Sequence, residues 1–183
     1  MKSFRHFILS SMRELVFGLE DSLVSTLGTI TGIAIATQST YFVILSGLVL
    51  IASESTSMAA GSYLSSRSAE DAEQEEEKEE GKKFQREPTH PVSGAFVMFF
   101  SYLLGGLIPL GPYFLVSTRN AILPSVILTV VTLFLIGVWS SSYTKRSRTK
   151  SGLEMVVVSL SAAVFGYLIS QLVNHYFGVS FKG

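Results

Sequence analysis

Three carboxylates lie in stretches of sequence that are otherwise apolar enough to cross a membrane: Glu20, Asp21 and Glu54. A charged side chain at the centre of a membrane-spanning helix costs about 2.5–3.5 kcal/mol on insertion scales, so such residues are rare unless they serve a polar path. Three of them in two neighbouring segments indicate a route for cations. The sequence therefore predicts a cation transporter with these acids along its path.

Met58 lies four residues after Glu54, so in a helix its thioether sulfur and the carboxylate share one face. Counted along each helix from Glu14 and from Arg67, Asp21 lies about 10 Å and Met58 about 13 Å into the membrane, so their depths match. Oxygen and sulfur donors without histidine or cysteine favour Fe²⁺ or Mn²⁺ over Mg²⁺ or Ca²⁺. For Met58 alone, the alternative is ordinary helix packing.

Small residues share a narrow face of the first segment with one acid: Gly18, Asp21, Ser25, Gly28 and Gly32. Such residues let helix backbones approach closely, either within one subunit or at the seam of a homodimer. A dimer seam would bring two copies of Asp21 together, where a cation or a shared proton makes them tolerable. Glu20 points about 100° away from this face and either joins the path or reaches the membrane edge near Arg13.

Five segments are long and apolar enough to cross a bilayer, which takes about 20 residues: 15–36, 41–64, 92–116, 122–143 and 153–177. Because 48% of the residues are hydrophobic, the chain is predicted to be an all-α integral membrane protein. The third segment contains several glycines and prolines: Gly105, Gly106, Pro109, Gly111 and Pro112. They predict a kinked or interrupted helix.

Basic residues are strongly segregated along the chain. Of the 14 lysines and arginines, only Arg119 and Lys182 lie outside the leader, the second connection and the fourth connection. The positive-inside rule then places the N-terminus in the cytosol and the C-terminus outside. The predicted organisation is a cytosolic leader at 1–14, two membrane helices at 15–64, an acidic cytosolic connection at 65–91, three membrane helices at 92–177 and a tail at 178–183.

The acidic connection is expected to prolong the second helix. Four of its acids fall on one helical stripe that would raise the local cation concentration at the entrance: Glu70, Glu73, Glu77 and Glu80. Glu75 and Lys78 have the spacing of a helical ion pair, worth about 0.2–0.5 kcal/mol. The alternative is a solvated, partly disordered linker.

Two motifs, RELVFGLEDSLVST at 13–26 and SMAAGSYLS at 57–65, resemble the first two helices of the vacuolar iron transporter family. The likeness continues in LGGLIPL at 104–110, LFLIG at 133–137 and SGLEM at 151–155. The resemblance implies a five-helix homodimer that moves Fe²⁺, and often Mn²⁺, out of the cytosol in exchange for protons along its dimer interface. It also implies that Asp21 is the first-helix carboxylate of the path and Met58 the second-helix thioether.

Three positions depart from the pattern of that family. Ser22 stands where a glycine usually follows the first-helix acid, and Ser62 stands where a glutamate is common. Leu50 occupies the place of a glutamate that is often found eight residues before the methionine, and Glu54 is interpreted as its substitute one turn later. The acidic connection is also too short for the helical metal-binding domain of many members. These departures bear on which ion is transported and on its coupling stoichiometry more than on the class of transporter.

The remaining features narrow the function. The chain has no cysteine, which excludes disulfides and thiolate metal sites. Phosphate loops, nucleophilic triads and nucleic-acid modules are not recognisable, so no enzymatic activity, no nucleic-acid partner and no tightly bound cofactor are predicted. The expected partners are a second copy of the chain, membrane lipids, divalent metal ions and protons. The alternatives are a non-transporting membrane scaffold and an uncoupled cation channel, and the expected location is the cell (inner) membrane, or a vacuolar or other organelle membrane in a eukaryote.

Overall fold

The described part of the chain is built from helices. The computed structural model describes residues 11–80, 91–144 and 147–177, without the side chains at 79, 80, 144 and at several positions after 161. Over these ranges the elements are α1 (Met12–Thr37), α2 (Thr40–Glu80), α3 (Pro91–Leu110), a 3-10 helix (Gly111–Phe114), α4 (Thr118–Thr144) and α5 (Arg148–Phe177). The prediction of an all-helical protein is confirmed. Most of the leader and the tail at 178–183 lie outside the described residues.

Three helices are long and apolar enough to cross a membrane. They cover Thr40–Lys78, Pro91–Phe114 and Thr118–Tyr143, as judged over the described residues. Helices α1 and α5 coincide with the other two predicted segments, and the adjacent acids Glu20 and Asp21 lower the hydropathy of α1. The helices therefore support an integral membrane protein.

Helices α1 and α2 are joined by a tight connection at Gln38 and Ser39. The backbone of Gln38 adopts the left-handed conformation with φ of 50°, and its N–H donates to the carbonyl of Ala34 at 3.0 Å. This is the arrangement in which a helix usually ends on glycine. The hydroxyl of Thr40 at the start of α2 and the hydroxyl of Thr118 at the start of α4 also form a hydrogen bond of 2.7 Å. These contacts define one end of the bundle, opposite the end where α2 continues into the acidic region.

Replacing Gln38 with Gly is expected to stabilise the protein by about 0.5–1 kcal/mol, because glycine adopts a left-handed backbone without the clash of a Cβ. The measurement is the midpoint of thermal unfolding in detergent. Gln38→Ala is the matched control, since alanine keeps the Cβ and gains nothing. If Gln38→Gly unfolds at a lower temperature than the wild type, the strain of a left-handed backbone with a Cβ does not decide stability at this position.

Glycines allow three helices to approach closely at the middle of the bundle. A Cβ added to Gly18 of α1 would lie 2.9 Å from the Cβ of Ser101 on α3, and one on Gly105 of α3 would overlap Ser22 of α1. A Cβ on Gly106 would lie 2.7 Å from Cγ1 of Ile51 on α2. Gly105 and Gly106, two of the residues that predict a kinked or interrupted helix, lie within α3 before its interruption. They serve close packing, which needs the missing side chain rather than backbone freedom.

The predicted interruption of the third segment occurs at Gly111, where α3 gives way to the 3-10 helix. The change of helix type alters the hydrogen bonding of the preceding carbonyls. Ser125 of α4 satisfies one of them, donating to the carbonyl of Pro109 at 2.6 Å in a buried position. Tyr113 of the 3-10 helix packs beside Ile30 and Leu110 in one of the two apolar clusters. The interrupted segment is thus fixed on the bundle.

Helices α4 and α5 cross at Gly137. A Cβ at this position would lie 2.6 Å from the carbonyl oxygen of Ser151 and 2.8 Å from the Cα of Gly152. The second apolar cluster, formed by Leu23, Leu133 and Ile136, with Met155 packed against it, joins this pair of helices to α1. The crossing therefore sets where α5 meets α1.

Candidate cation site

Asp21 on α1 and Glu54 on α2 act on each other electrostatically. Asp21 is half-buried on α1, beside the fully buried Ser22 and Leu23. It lies within electrostatic range of Glu54 on α2 and of its neighbour Glu20. Two of the acids that were identified on separate apolar segments therefore lie close enough for their charges to interact.

Glu54 and Met58 share an edge of α2. Both side chains are half-buried, whereas Ser53 and Ser57 beside them are exposed and Ser55 is completely buried. The carboxylate and the thioether therefore lie where the packed face of α2 meets its open face. The carboxylate and the thioether are therefore accessible from the exposed face of α2 that carries Ser53 and Ser57.

Glu20 faces a different neighbour. The hydroxyl of Ser159 on α5 donates to Oε1 of Glu20 at 3.0 Å, and Ser159 is buried. Arg13, the alternative partner from the sequence, is exposed. Glu20 thus links α1 to α5, while the charge of Asp21 interacts with that of Glu54 on α2. Sequence reasoning missed Ser159, because nothing distinguishes one serine of an apolar segment from another.

Tyr102 of α3 is the second group that sequence reasoning missed. Its side chain is fully buried, and its hydroxyl forms a hydrogen bond of 2.7 Å with Ser25 of α1. It lies within electrostatic range of both Asp21 and Glu54. A signal was available: tyrosines of membrane helices are enriched at the interfaces, so one in mid-segment needs a polar partner.

Glu14 lies nearer the acidic end of the bundle, about two helical turns before Asp21. A Cβ at Gly94 of α3 would meet Cγ of Glu14 at 3.6 Å and Oγ of Ser62 on α2 at 3.8 Å. Glu14 therefore lies where α1, α2 and α3 meet. Its Oε2 atom is buried and has no hydrogen-bond partner among the described residues.

The acids in the described part of the chain do not form a closed metal centre. Within residues 11–80, 91–144 and 147–177, no group of three or more histidine, aspartate or glutamate side chains is arranged to hold a metal ion. The charges of Glu54 and Glu20 both act on Asp21. The described chain thus presents a line of acids along α1 and α2.

The acidic region continues α2 as far as Glu80. Glu70, Glu73 and Glu77 are half-buried on the predicted stripe, whereas the side chain of Glu80 lies outside the described residues. The predicted helical pair is confirmed, since Nζ of Lys78 lies 2.7 Å from Oε1 of Glu75. A helix therefore carries most of the stripe.

The small-residue face of α1 divides into two parts. Gly18 packs against α3, and Ser25 bonds to Tyr102, so this part serves packing within the protomer. A Cβ at Gly28 would meet nothing within 4 Å, and Gly32 is half-buried. On α2, Gly61 is equally open. The open part leaves room for a neighbouring helix.

Comparison with known proteins places these residues in a family. The model of the VIT family matches residues 12–90 and 82–171. Vacuolar iron transporter 1 of Arabidopsis thaliana is 22% identical over 224 residues, which cover 93% of this chain and 90% of that protein.

Two further relatives show the same relationship. Vacuolar iron transporter 1 of Eucalyptus grandis is 25% identical over 216 residues, covering 88% of this chain and 87% of its own length. Protein CCC1 of Saccharomyces cerevisiae is 42% identical over 81 residues, which cover 40% of this chain and 25% of that protein. Since the family model spans α1 to α4 and most of α5, the chain belongs to the VIT family.

Proposed function

We propose that this protein transports a divalent metal cation, Fe²⁺ or Mn²⁺, out of the cytosol in exchange for protons. The observation that carries the proposal is the electrostatic interaction of Asp21 on α1 with Glu54 on α2 inside a bundle of apolar helices. Membership of the VIT family and the likeness to two proteins named as vacuolar iron transporters support the same conclusion.

Exchange follows from the electrostatics of the two carboxylates. Like charges repel strongly where the surroundings have a low dielectric constant. Either a divalent cation or a proton relieves the repulsion between Asp21 and Glu54, so the two compete for the same place. Metal binding then releases protons, and protonation releases the metal. A protein that opens alternately to the two sides converts this competition into antiport.

The donors beside the two acids favour a borderline ion. Met58 adds a thioether one turn from Glu54, which a hard ion such as Mg²⁺ or Ca²⁺ does not use. Asp21 and Glu54 supply the charge that neutralises the ion. We therefore expect Fe²⁺ and Mn²⁺ to be preferred, with the ion as the transported substrate and no resident cofactor.

The proposed route runs from the acidic end of the bundle to the opposite end. The stripe at Glu70, Glu73, Glu77 and Glu80 gathers cations in the cytosol. The ion then passes Glu14, reaches the level of Asp21 and Met58, and leaves beyond Gly28, with Glu20 holding α5 beside the route. In this topology all five helices span the membrane, the N-terminus is cytosolic and the C-terminus is outside. The membrane is that of the cell, or of a vacuole or other organelle in a eukaryote.

A homodimer would complete the path. In its membrane segment α2 exposes a face of small residues: Ala52, Ser53, Thr56, Ser57, Ala60 and Gly61. Small exposed residues let a second helix approach closely in a membrane. Gly28 of α1 is open as well. A second copy seated here would add its own Asp21 to an acid line that one protomer leaves unclosed.

The test is Mn²⁺ or Fe²⁺ uptake by proteoliposomes that carry an opposing pH gradient. We expect metal entry that depends on the protein and is accompanied by proton movement in the opposite direction, reported by a pH-sensitive dye. Metal should also raise the thermal unfolding midpoint. A free metal concentration of 100 times the dissociation constant adds about 2.7 kcal/mol to the free energy of unfolding. An uncoupled channel would pass metal without proton movement, and a scaffold would show neither flux nor stabilisation.

A further inference from the structure

The hydroxyl of Tyr102 belongs to neither the apolar core nor the acid line. The tyrosine lies mid-way along α3, with no exposed surface, and its hydrogen bond of 2.7 Å to Ser25 ties α3 to α1. Ser25 stands one helical turn beyond Asp21 on the same face of α1. The bond therefore acts on the part of α1 that carries the acid.

The crossing of α1 and α3 lies directly beside this bond. On α3, Tyr102 stands between Ser101, which packs against Gly18, and Gly105, which packs against Ser22 and the backbone of Leu19. Because backbones in such close contact leave little freedom to rotate, the hydroxyl of Tyr102 has a defined position. The bond to Ser25 in turn restrains the turn of α1 that follows Asp21.

Tyr102 also lies within the field of the cation path. The charged groups that act on it are Asp21 from α1 and Glu54 from α2. Glu20 acts on Asp21 in turn. Thus α1 supplies an acid and a serine, α2 supplies an acid, and α3 supplies the buried hydroxyl that joins the serine.

We propose that Tyr102 is a positioning residue of the cation path, which holds Asp21 opposite Glu54 through its bond to Ser25 and so sets the affinity for the divalent cation. The inference rests on the proposed function. Groups that hold metal ligands in place, without touching the metal, commonly change metal affinity 10–100-fold when they are removed. A buried network of this kind also strengthens with each bond that it contains.

The test replaces each partner of the bond and measures Mn²⁺ uptake. Tyr102→Phe keeps the ring and removes the hydroxyl, and we expect the apparent KM to rise about 10-fold with a maximal rate within about twofold of the wild type. Ser25→Ala should give the same result, and the double variant should be no worse than either single variant, because both remove one bond. Ser25→Thr retains the hydroxyl and should retain the KM.

Ser125→Ala is the matched control. It removes another buried hydroxyl bond, to the carbonyl of Pro109, between α3 and α4 and away from the two acids. We expect lower thermal stability with an unchanged KM. If Ser125→Ala and Tyr102→Phe raise the KM alike, or if Tyr102→Phe leaves it unchanged, Tyr102 is only a packing residue and the proposal is overturned.

Mn²⁺ binding by the purified protein, measured by calorimetry, separates this proposal from the proposed function. A wild type that binds Mn²⁺ but shows no flux would overturn transport. In that case a 10-fold weaker binding by Tyr102→Phe would still support the positioning role, and equal binding would reject it. A wild type that binds neither Mn²⁺ nor Fe²⁺ overturns both.

Discussion

Replacing Asp21 with Asn is expected to lower metal flux by roughly 100-fold or more, because a neutral amide neither balances the charge of the ion nor exchanges it for a proton. Asn has nearly the volume of Asp, so the packing of α1 through its buried residues Ser22 and Leu23 should be unchanged. The measurement is the initial rate of Mn²⁺ uptake into proteoliposomes across a pH gradient. The variant tests the path directly, since Asp21 is the acid that lies within range of both Glu54 and Glu20.

Stability separates loss of function from loss of fold in this variant. Asn at position 21 removes a repulsion with Glu54, so the thermal unfolding midpoint without metal should be equal to the wild type or higher. The stabilisation that Mn²⁺ gives the wild type should disappear. A lower midpoint would indicate that the side chain has a structural role.

Asp71→Asn is the matched control for charge. Asp71 lies on the exposed part of α2, with its Oδ1 atom 3.6 Å from Nε of Arg67. Exposed pairs of this kind contribute little, so the flux of this variant should stay within about twofold of the wild type. Wild-type flux in Asp21→Asn would reject the assigned path, and an equal loss in Asp71→Asn would show that total negative charge matters rather than this acid.

The acids could be found from sequence because each contradicts its surroundings. Asp21 and Glu54 stand in apolar runs, where a carboxylate is costly, and no three-dimensional information is needed to see this. The five helices could be anticipated from the five predicted segments, and three of them are long and apolar enough to cross a membrane, as judged over the described residues. The interruption at Gly111 followed from its glycine and proline neighbours.

The hydroxyl groups around the acids could not be found in this way. Ser159 and Tyr102 acquire their roles from the helices that lie opposite them, and those crossings depend on where backbones come closest. Gly105 and Gly106 illustrate the reason: in sequence they indicate a flexible helix, whereas in the bundle they are contact points. Periodicity gives the face of a helix but not the neighbour that this face meets.

Replacing Gly137 with Ala is expected to destabilise the protein by about 2–3 kcal/mol, the upper part of the range for an overpacked contact. The added Cβ would lie 2.6 Å from the carbonyl oxygen of Ser151 and 2.8 Å from the Cα of Gly152. Both are backbone atoms of α5, which cannot move aside as a side chain does. Helix α5 must therefore shift away from α4, and the midpoint of thermal unfolding in detergent should fall.

The shift also reaches the cation path, because α5 carries Ser159 to Glu20. We expect the surviving Gly137→Ala protein to transport metal more slowly, whereas Gly111→Ala should be close to wild type in stability and flux, since a Cβ at Gly111 meets nothing within 4 Å. If Gly137→Ala is as stable as the wild type, the added Cβ must lie farther than 2.6 Å from the carbonyl oxygen of Ser151. Lost stability with normal flux would show instead that α5 supports the bundle without positioning Glu20.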